Sequence, residues 1–211
     1  MIRYIQNLKI RFKLYVLIGV ALIGMLMIGG MSFCLMGRMN DMTSDISTSW
    51  LPSINTARDL TTTLSNIRLN ELGYLTAISD DVEASSLQYL QSEKEDMNTL
   101  LATYGGLIDE EERNFYENAM NLWNQYDKAD EEMMTLAKQG RSEEARAILE
   151  GECVELYNSL NSAFHDIIVY NTEGSDAATE ESFFLYKTAI FLMAAVIVAI
   201  ILVGVFFSFV I

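Results

Sequence analysis

Two uncharged, apolar stretches bracket an acidic, polar middle, and this arrangement narrows the chain to a membrane-anchored design. The stretches run over residues 14–36 and 189–211, 23 residues each, and neither contains Lys, Arg, Asp, Glu, His or Pro. A helix needs about 20 apolar residues to cross roughly 30 Å of hydrocarbon. The reading is a two-pass protein: residues 1–13 before the first span, residues 37–188 between the spans, and residues 189–211 as the second span.

Basic residues set the orientation. Arg3, Lys9, Arg11 and Lys13 precede the first span, and no acid lies among residues 1–13. Lys and Arg beside a span stay on the cytoplasmic side, so the N-terminus is expected inside and residues 37–188 outside. The first span reads as an uncleaved anchor. Its apolar core exceeds the ~7–15 residues of a signal peptide, and no small-x-small cleavage site follows it. Met31-Ser32-Phe33-Cys34 makes a poor lipidation site, because a bulky Phe precedes the cysteine.

All 29 acids fall in the middle segment beside ten of the 14 bases, leaving it at −19. Such a surface repels phosphate backbones and excludes nucleic acid as an expected partner. A small anion would need a local basic cluster. Two cysteines make no disulfide framework. Cys34 sits at the outer end of the first span, and Cys153 lies 36 residues before the second, roughly 54 Å away along a continuous helix, too far for a bridge within one chain.

About 150 residues can bury one core, and this middle segment is rich in helix formers with a single proline, Pro52. Its breaks fall at Ile78-Ser79-Asp80-Asp81, at Gly105-Gly106 and at Gly140, where a basic helix end, Lys138-Gln139, invites a left-handed cap. Asp109 and Glu112 resemble a capping box, and Ser142 with Glu143 and Glu144 suits a helix start. Four helices follow, over residues 40–77, 81–104, 109–139 and 142–188. On the third, Phe115, Ala119, Leu122, Tyr126, Ala129, Met133 and Leu136 step by alternating fours and threes, an a/d seam. On the first, Trp50, Ala57, Leu64 and Glu71 share one heptad row, flanked by Ile54, Ile67 and Leu75. The fourth carries Ile148, Leu149, Leu156, Leu160, Ala163, Phe164, Ile167 and Tyr170. Short connections make neighbours antiparallel. The expected fold is therefore all-α: a two-pass transmembrane protein with an extracytoplasmic up-and-down four-helix bundle. Pro52 should kink or break the first helix at Trp50-Leu51-Pro52, and Trp50 reads either as a membrane-proximal aromatic or as core.

No catalytic constellation, phosphate loop or metal-ligand spacing is present, so neither enzyme activity nor a cofactor is expected; the lone His165 reads as a surface or structural residue. The scarce charge says more. Arg58 and Arg68 are the bases of the first helix and lie on neighbouring faces. Arg68 borders the core seam, and with Asn66, Asn70 and Thr62 nearby it could hold a ligand carboxylate through two hydrogen bonds. The alternative is an ion pair with Glu71 or with an acid on another helix. Arg58 offers a weaker version of the same choice.

The segments Leu51-Pro52-Ser53-Ile54, with Leu60, Leu64 and Ile67-Arg68-Leu69-Asn70-Glu71, and Leu136-Ala137-Lys138-Gln139-Gly140-Arg141-Ser142-Glu143-Glu144-Ala145, running on to Ile148-Leu149-Glu150-Gly151-Glu152, carry a resemblance. The chain resembles the sensor half of methyl-accepting chemotaxis receptors with a four-helix-bundle ligand-binding module. That resemblance implies a homodimer in the bacterial cytoplasmic membrane. It also implies a small-molecule ligand, such as an amino or organic acid, bound between helices, or a periplasmic binding protein as the partner. The signal would cross the lipid bilayer as a small shift of the fourth helix against the first. Receptors of this kind continue into a HAMP linker and a methylated coiled coil that controls a histidine kinase. This chain stops at Phe209-Val210-Ile211 and so reads as a fragment of a longer receptor or a truncated gene. Similar sensor bundles occur in histidine kinases and cyclic-dinucleotide enzymes. A reading from a different class is a membrane-anchored scaffold, in which the acidic blocks Asp109–Glu112 and Asp130–Glu132 would dock a basic protein.

Overall fold

The computed structural model describes residues 10–210. The elements are α1 (Ile10–Asp45), a π-helical turn (Ile46–Trp50), α2 (Leu51–Leu75), α3 (Asp80–Gly105), α4 (Arg113–Lys138), α5 (Ser142–Glu150) and α6 (Glu152–Val210). Among the described residues there is no strand, and the all-α, four-helix-bundle expectation holds. Arg3 and Lys9, which carried half of the orientation argument, lie outside the described residues. The chain divides into two units, one made of α1 with the later part of α6 and one made of residues 46–176.

In the first unit, α1 and α6 form an antiparallel pair. Ser32 Oγ lies 3.4 Å from Met193 Sδ, and eight residues earlier Gly24 faces Ile200. A Cβ built on Gly24 would sit 2.4 Å from Ile200 Cδ1, so the absent side chain sets how closely these helices approach. Large apolar side chains point outward: Leu26 is 76 % exposed, Phe33 82 % and Phe191 73 %. Both helices are long and apolar enough to cross a membrane, with mean hydropathy of 2.3 and 3.2 over their best windows. In a bilayer this outward face meets acyl chains rather than water. Cys34 is exposed on α1.

The second unit is the bundle, and its register can be followed from paired residues. Gly73 opposes Ser86 and Asn66 bonds Glu93: one number falls by seven as the other rises by seven, so α2 and α3 are antiparallel. Asn98 bonds Trp123 and Lys94 bonds Asp127, which repeats the relation for α3 and α4. Trp50 packs over Gly174, and Ser65 meets Tyr157 at 3.3 Å, placing α6 antiparallel to α2. The core is the predicted seam, made of Ala57, Leu60, Leu64 and Ile67 on α2 with Ala119, Tyr126, Ala129 and Met133 on α4 and Leu160, Phe164 and Ile167 on α6, all buried. Each buried large apolar side chain contributes about 1.5–3 kcal/mol.

Local chemistry places the helix ends. Ser79 caps α3, its hydroxyl accepting from the Val82 N–H, while Asp80, Asp81 and Glu83 occupy the first turn. Asp109 and Glu112 exchange the reciprocal side-chain to backbone bonds of a capping box, one turn ahead of where α4 begins. Gly140 closes α4 with φ +76°. The Arg141 N–H reaches Leu136 O at 3.0 Å and the Gly140 N–H reaches Ala137 O at 2.9 Å, a Schellman closure.

Three expectations need correcting. The first helix does not break at Trp50-Leu51-Pro52: Trp50 keeps helical backbone (φ −58°, ψ −52°), and the departure is a widened π turn, Ile46–Trp50, directly before α2. Proline has no N–H to give the carbonyl four residues back and its ring crowds that carbonyl, and one extra residue in the turn relieves both. The fourth helix is not continuous over 142–188: Gly151 (φ −101°, ψ −97°) separates α5 from α6. Its missing Cβ would lie 2.9 Å from Ala147 O, so the bend needs glycine. The α4 seam is also wider than predicted. Trp123, Asp130 and Met134 are buried, whereas Leu122 and Leu136 are only partly so, because α4 packs against neighbours on both sides.

Candidate functional site: a polar layer inside the bundle

At the heptad row of Ala57 and Leu64, the next member is Glu71, and it is completely buried. Three groups surround it. Tyr126 on α4 donates its hydroxyl to Glu71 Oε2 at 2.8 Å. Arg68 Nη1 reaches the same oxygen at 3.3 Å, and Arg68 Nη2 donates to the Leu149 carbonyl of α5 at 2.7 Å. Asp130 of α4, 1 % exposed, lies one turn on from Tyr126 along the same helix face, and its negative charge bears on the Glu71 carboxyl. Asp130 Oδ2 is held by Lys94 Nζ of α3 at 2.6 Å, and Lys94 also holds Asp127 at 2.5 Å. Cys153 of α6 is buried beside the acids, and burial first, then the charges of Glu71 and Asp130, push its thiol up to about 12.

The layer therefore contains two buried carboxyls, Glu71 and Asp130, with the bases Arg68 and Lys94 and the partly exposed Asp127 at its edge. Glu71 Oε1 and Asp130 Oδ1 are both buried without a donor. Burial raises the Glu71 carboxyl most, the negative charge of Asp130 next, and these outweigh the Tyr126 hydrogen bond and Arg68, leaving Glu71 at about 8. Burial and the neighbouring Glu71 push the Tyr126 phenol far above its usual range. Burial works against the charge of Lys94, but Asp130 and Asp127 more than offset it, so its ammonium is held above the usual value. Asp130 and Lys94 also line a cleft of about 360 Å³ between α3 and α4, with Leu90, Gln91, Met134 and Lys138. Solvent thus reaches one side of the layer.

A second polar group ties the α3–α4 connection to α6. Glu112 is 1 % exposed. Its Oε1 accepts from Tyr104 at 3.0 Å and from Asn171 Nδ2 at 2.6 Å, and its Oε2 accepts from the Asp109 N–H at 3.4 Å. Tyr170 donates to Glu111 at 3.1 Å and packs against Phe115 and Trp50. Trp50 is half-buried, its ring lying where a Cβ on Gly174 would be.

The residues singled out on α2 fall in different settings. Arg68 belongs to the buried layer and is engaged by Glu71 and Leu149. Asn66 bonds Glu93, and Asn70 donates to the Asn66 carbonyl. Arg58 and Thr62 are exposed one turn apart, joined by the Thr62 hydroxyl to the Arg58 carbonyl. Thr62 lines a shallow groove of about 300 Å³ with Asp59, Asp96 and Thr99. His165 is exposed on α6. Within the two acidic blocks, Glu112 and Asp130 are buried. Among the described residues no cluster of His, Cys, Asp and Glu could hold a metal ion. Sequence reasoning missed Lys94, Tyr126 and Asp130 as one group. The available signal was the acid at position 71, in a row otherwise held by Trp50, Ala57 and Leu64.

The chain matches the family described as a four helix bundle sensory module for signal transduction over residues 7–186. It belongs to that family, the sensory module of methyl-accepting chemotaxis proteins. A sensory module of this kind is a non-catalytic type of domain, and with two helices apolar enough to cross a bilayer the chain is assigned to a membrane. No curated protein matches it individually.

Proposed function

We propose that the chain is the sensing and membrane-spanning part of a bacterial chemotaxis receptor in the cytoplasmic membrane. The observation that carries this reading is a sensory bundle family covering residues 7–186 in a chain whose bundle lies, in sequence, between two segments apolar enough to span a bilayer. The basic N-terminus, including Arg11 and Lys13, supports a cytoplasmic start, with residues 37–188 outside. The receptor acts as a homodimer. Its stimulus is a small molecule such as an amino or organic acid, or a loaded periplasmic binding protein. Arg58 and Thr62 are the exposed members of the candidate ligand set. A ligand carboxylate reaching Arg68 would have to displace Glu71, while Asn66 and Asn70 would serve as flanking donors.

The stimulus works by population shift: it must bind one arrangement of the bundle helices better than another, and only that difference drives the output. Displacement of α6, one helix from Glu152 to Val210, is the carrier. The test joins residues 1–211 to the cytoplasmic half of a chemotaxis receptor and reads kinase activity at fixed pH. Amino acids, organic acids and binding proteins are then added in turn. A stimulus-dependent change is expected. A hybrid that inserts and controls the kinase, yet holds it constant across the whole panel, overturns the reading.

A further inference from the structure

We infer that the Glu71–Asp130 pair is a proton-binding site built into the bundle core, holding one shared proton at neutral pH and releasing it in alkaline surroundings with loss of packing between α2 and α4. The geometry is specific. Each carboxyl spends one oxygen on donors: Glu71 Oε2 on Tyr126 and Arg68, Asp130 Oδ2 on Lys94. Each keeps a second oxygen, Glu71 Oε1 and Asp130 Oδ1, buried and without a donor. Asp130 lies one turn on from Tyr126 along the same face of α4, which sets its carboxyl beside Glu71, the acceptor of the Tyr126 hydroxyl. One proton between them satisfies both remaining oxygens, because a protonated carboxyl donates while its partner accepts. Two ionised carboxylates in contact would repel in a low-dielectric interior.

The charge count agrees. The groups facing the pair are Arg68 on α2, Lys94 on α3, Tyr126 on α4 and Cys153 on α6, with Asp127 of α4 partly exposed beyond Lys94 and Glu152 exposed beside Cys153. Tyr126 and Cys153 are held neutral by their raised values. The two buried acids meet two bases, but Lys94 is shared with the partly exposed Asp127, so less than a full positive charge is left for Asp130. The cleft beside Lys94 and Asp130 gives the proton a route to water. A folded value near 8 against an unfolded one of 4.5 means the folded chain binds more protons than the unfolded chain between those limits. Stability contributed by this site is therefore full at acid pH and is lost as pH rises, with the loss complete above about 8. Across that window the unfolding constant should rise up to about tenfold per pH unit.

The measurement uses the full chain in lipid nanodiscs, melted at intervals from about pH 5 to about pH 10, together with Glu71→Gln and Asp130→Asn. The amide introduced by Glu71→Gln keeps an acceptor for Tyr126 and Arg68 and offers Asp130 a permanent donor, imitating the protonated state. Both variants should overtake the wild type as pH rises, and the infrared signal of a protonated carboxyl, present in the wild type at neutral pH, should disappear on alkalisation and be missing from Glu71→Gln. Wild-type and variant melting curves that run parallel, or a neutral-pH spectrum without that signal, overturn the inference. Use of the proton as a stimulus rests on the sensory reading; the melting and infrared results do not, so the two can fail separately.

Discussion

Glu71 and Glu112 are both glutamates buried almost completely in one bundle, and their surroundings differ in kind. Glu112 collects donors on both oxygens: a tyrosine hydroxyl, an asparagine amide and a backbone N–H. Glu71 collects two donors on one oxygen and a carboxylate beside it. The Glu112 carboxylate is satisfied on both oxygens and pins the α3–α4 connection to α6, the Asn171 amide oxygen being the atom left buried without a donor. The Glu71 group is short of a donor. Burial alone therefore does not decide what a core acid does; the number of donors that reach it does. The first arrangement fixes a structure, whereas the second can exist with or without a proton.

The largest effect should come from breaking the Glu112 network. Glu112→Ala leaves the Tyr104 hydroxyl and the Asn171 amide without their acceptor in the core, and should cost about 3 kcal/mol of stability, read as a lowered denaturation midpoint at every pH. Glu112→Gln keeps Oε1 for Tyr104 and Asn171 but turns an amide N–H toward the Asp109 N–H, a loss of about 1–2 kcal/mol. The same change at Glu71 should have the opposite sign. Glu71→Gln gains on the wild type by up to about 1.4 kcal/mol per pH unit between the unfolded and folded carboxyl values. If both Glu→Gln variants shift stability in the same direction at alkaline pH, the contrast between the two layers is broken.

The bundle was legible because its signals are local and repeated. The seam of Ala119, Tyr126, Ala129 and Met133 follows from spacing, and Gly140 announces a helix end because a left-handed residue after Lys138-Gln139 favours glycine. Gly140→Ala should accordingly cost about 1 kcal/mol, measurable by chemical denaturation. Gly151 was not legible as a break. Its backbone is not left-handed, and what demands glycine is the nearness of Ala147 O, which only coordinates reveal. The polar layer was half legible. Glu71 stands out in an apolar row, and Arg68 is its neighbour in the helix. Asp130 reads as part of an exposed acidic run with Glu131 and Glu132, because one residue of rotation on α4 separates water from core. Lys94 gives no sign at all, as its partners lie 33 and 36 residues away on another helix.

The smallest effect sharpens the comparison from the other side. Arg141 and Glu144 form an ion pair at 2.5 Å, closer than the 3.3 Å between Arg68 and Glu71. Distance alone would rank the surface pair higher. Arg141 and Glu144 are about half exposed, however, whereas the Glu71 side chain has no exposure. When Arg141 is removed, water hydrates the Glu144 carboxylate, and little is lost beyond a weak, salt-screened attraction. When Arg68 is removed, no water replaces its bonds to Glu71 Oε2 and the Leu149 carbonyl. Arg141→Ala should leave the melting temperature unchanged within error. Arg68→Ala should lower it clearly, and lower it more at alkaline pH, where Glu71 has lost its proton and most needs a positive neighbour. Equal effects from the two arginines would mean that the layer is as wet as the surface, and the distinction between a donor-satisfied carboxylate and a proton-holding one would lose its physical basis.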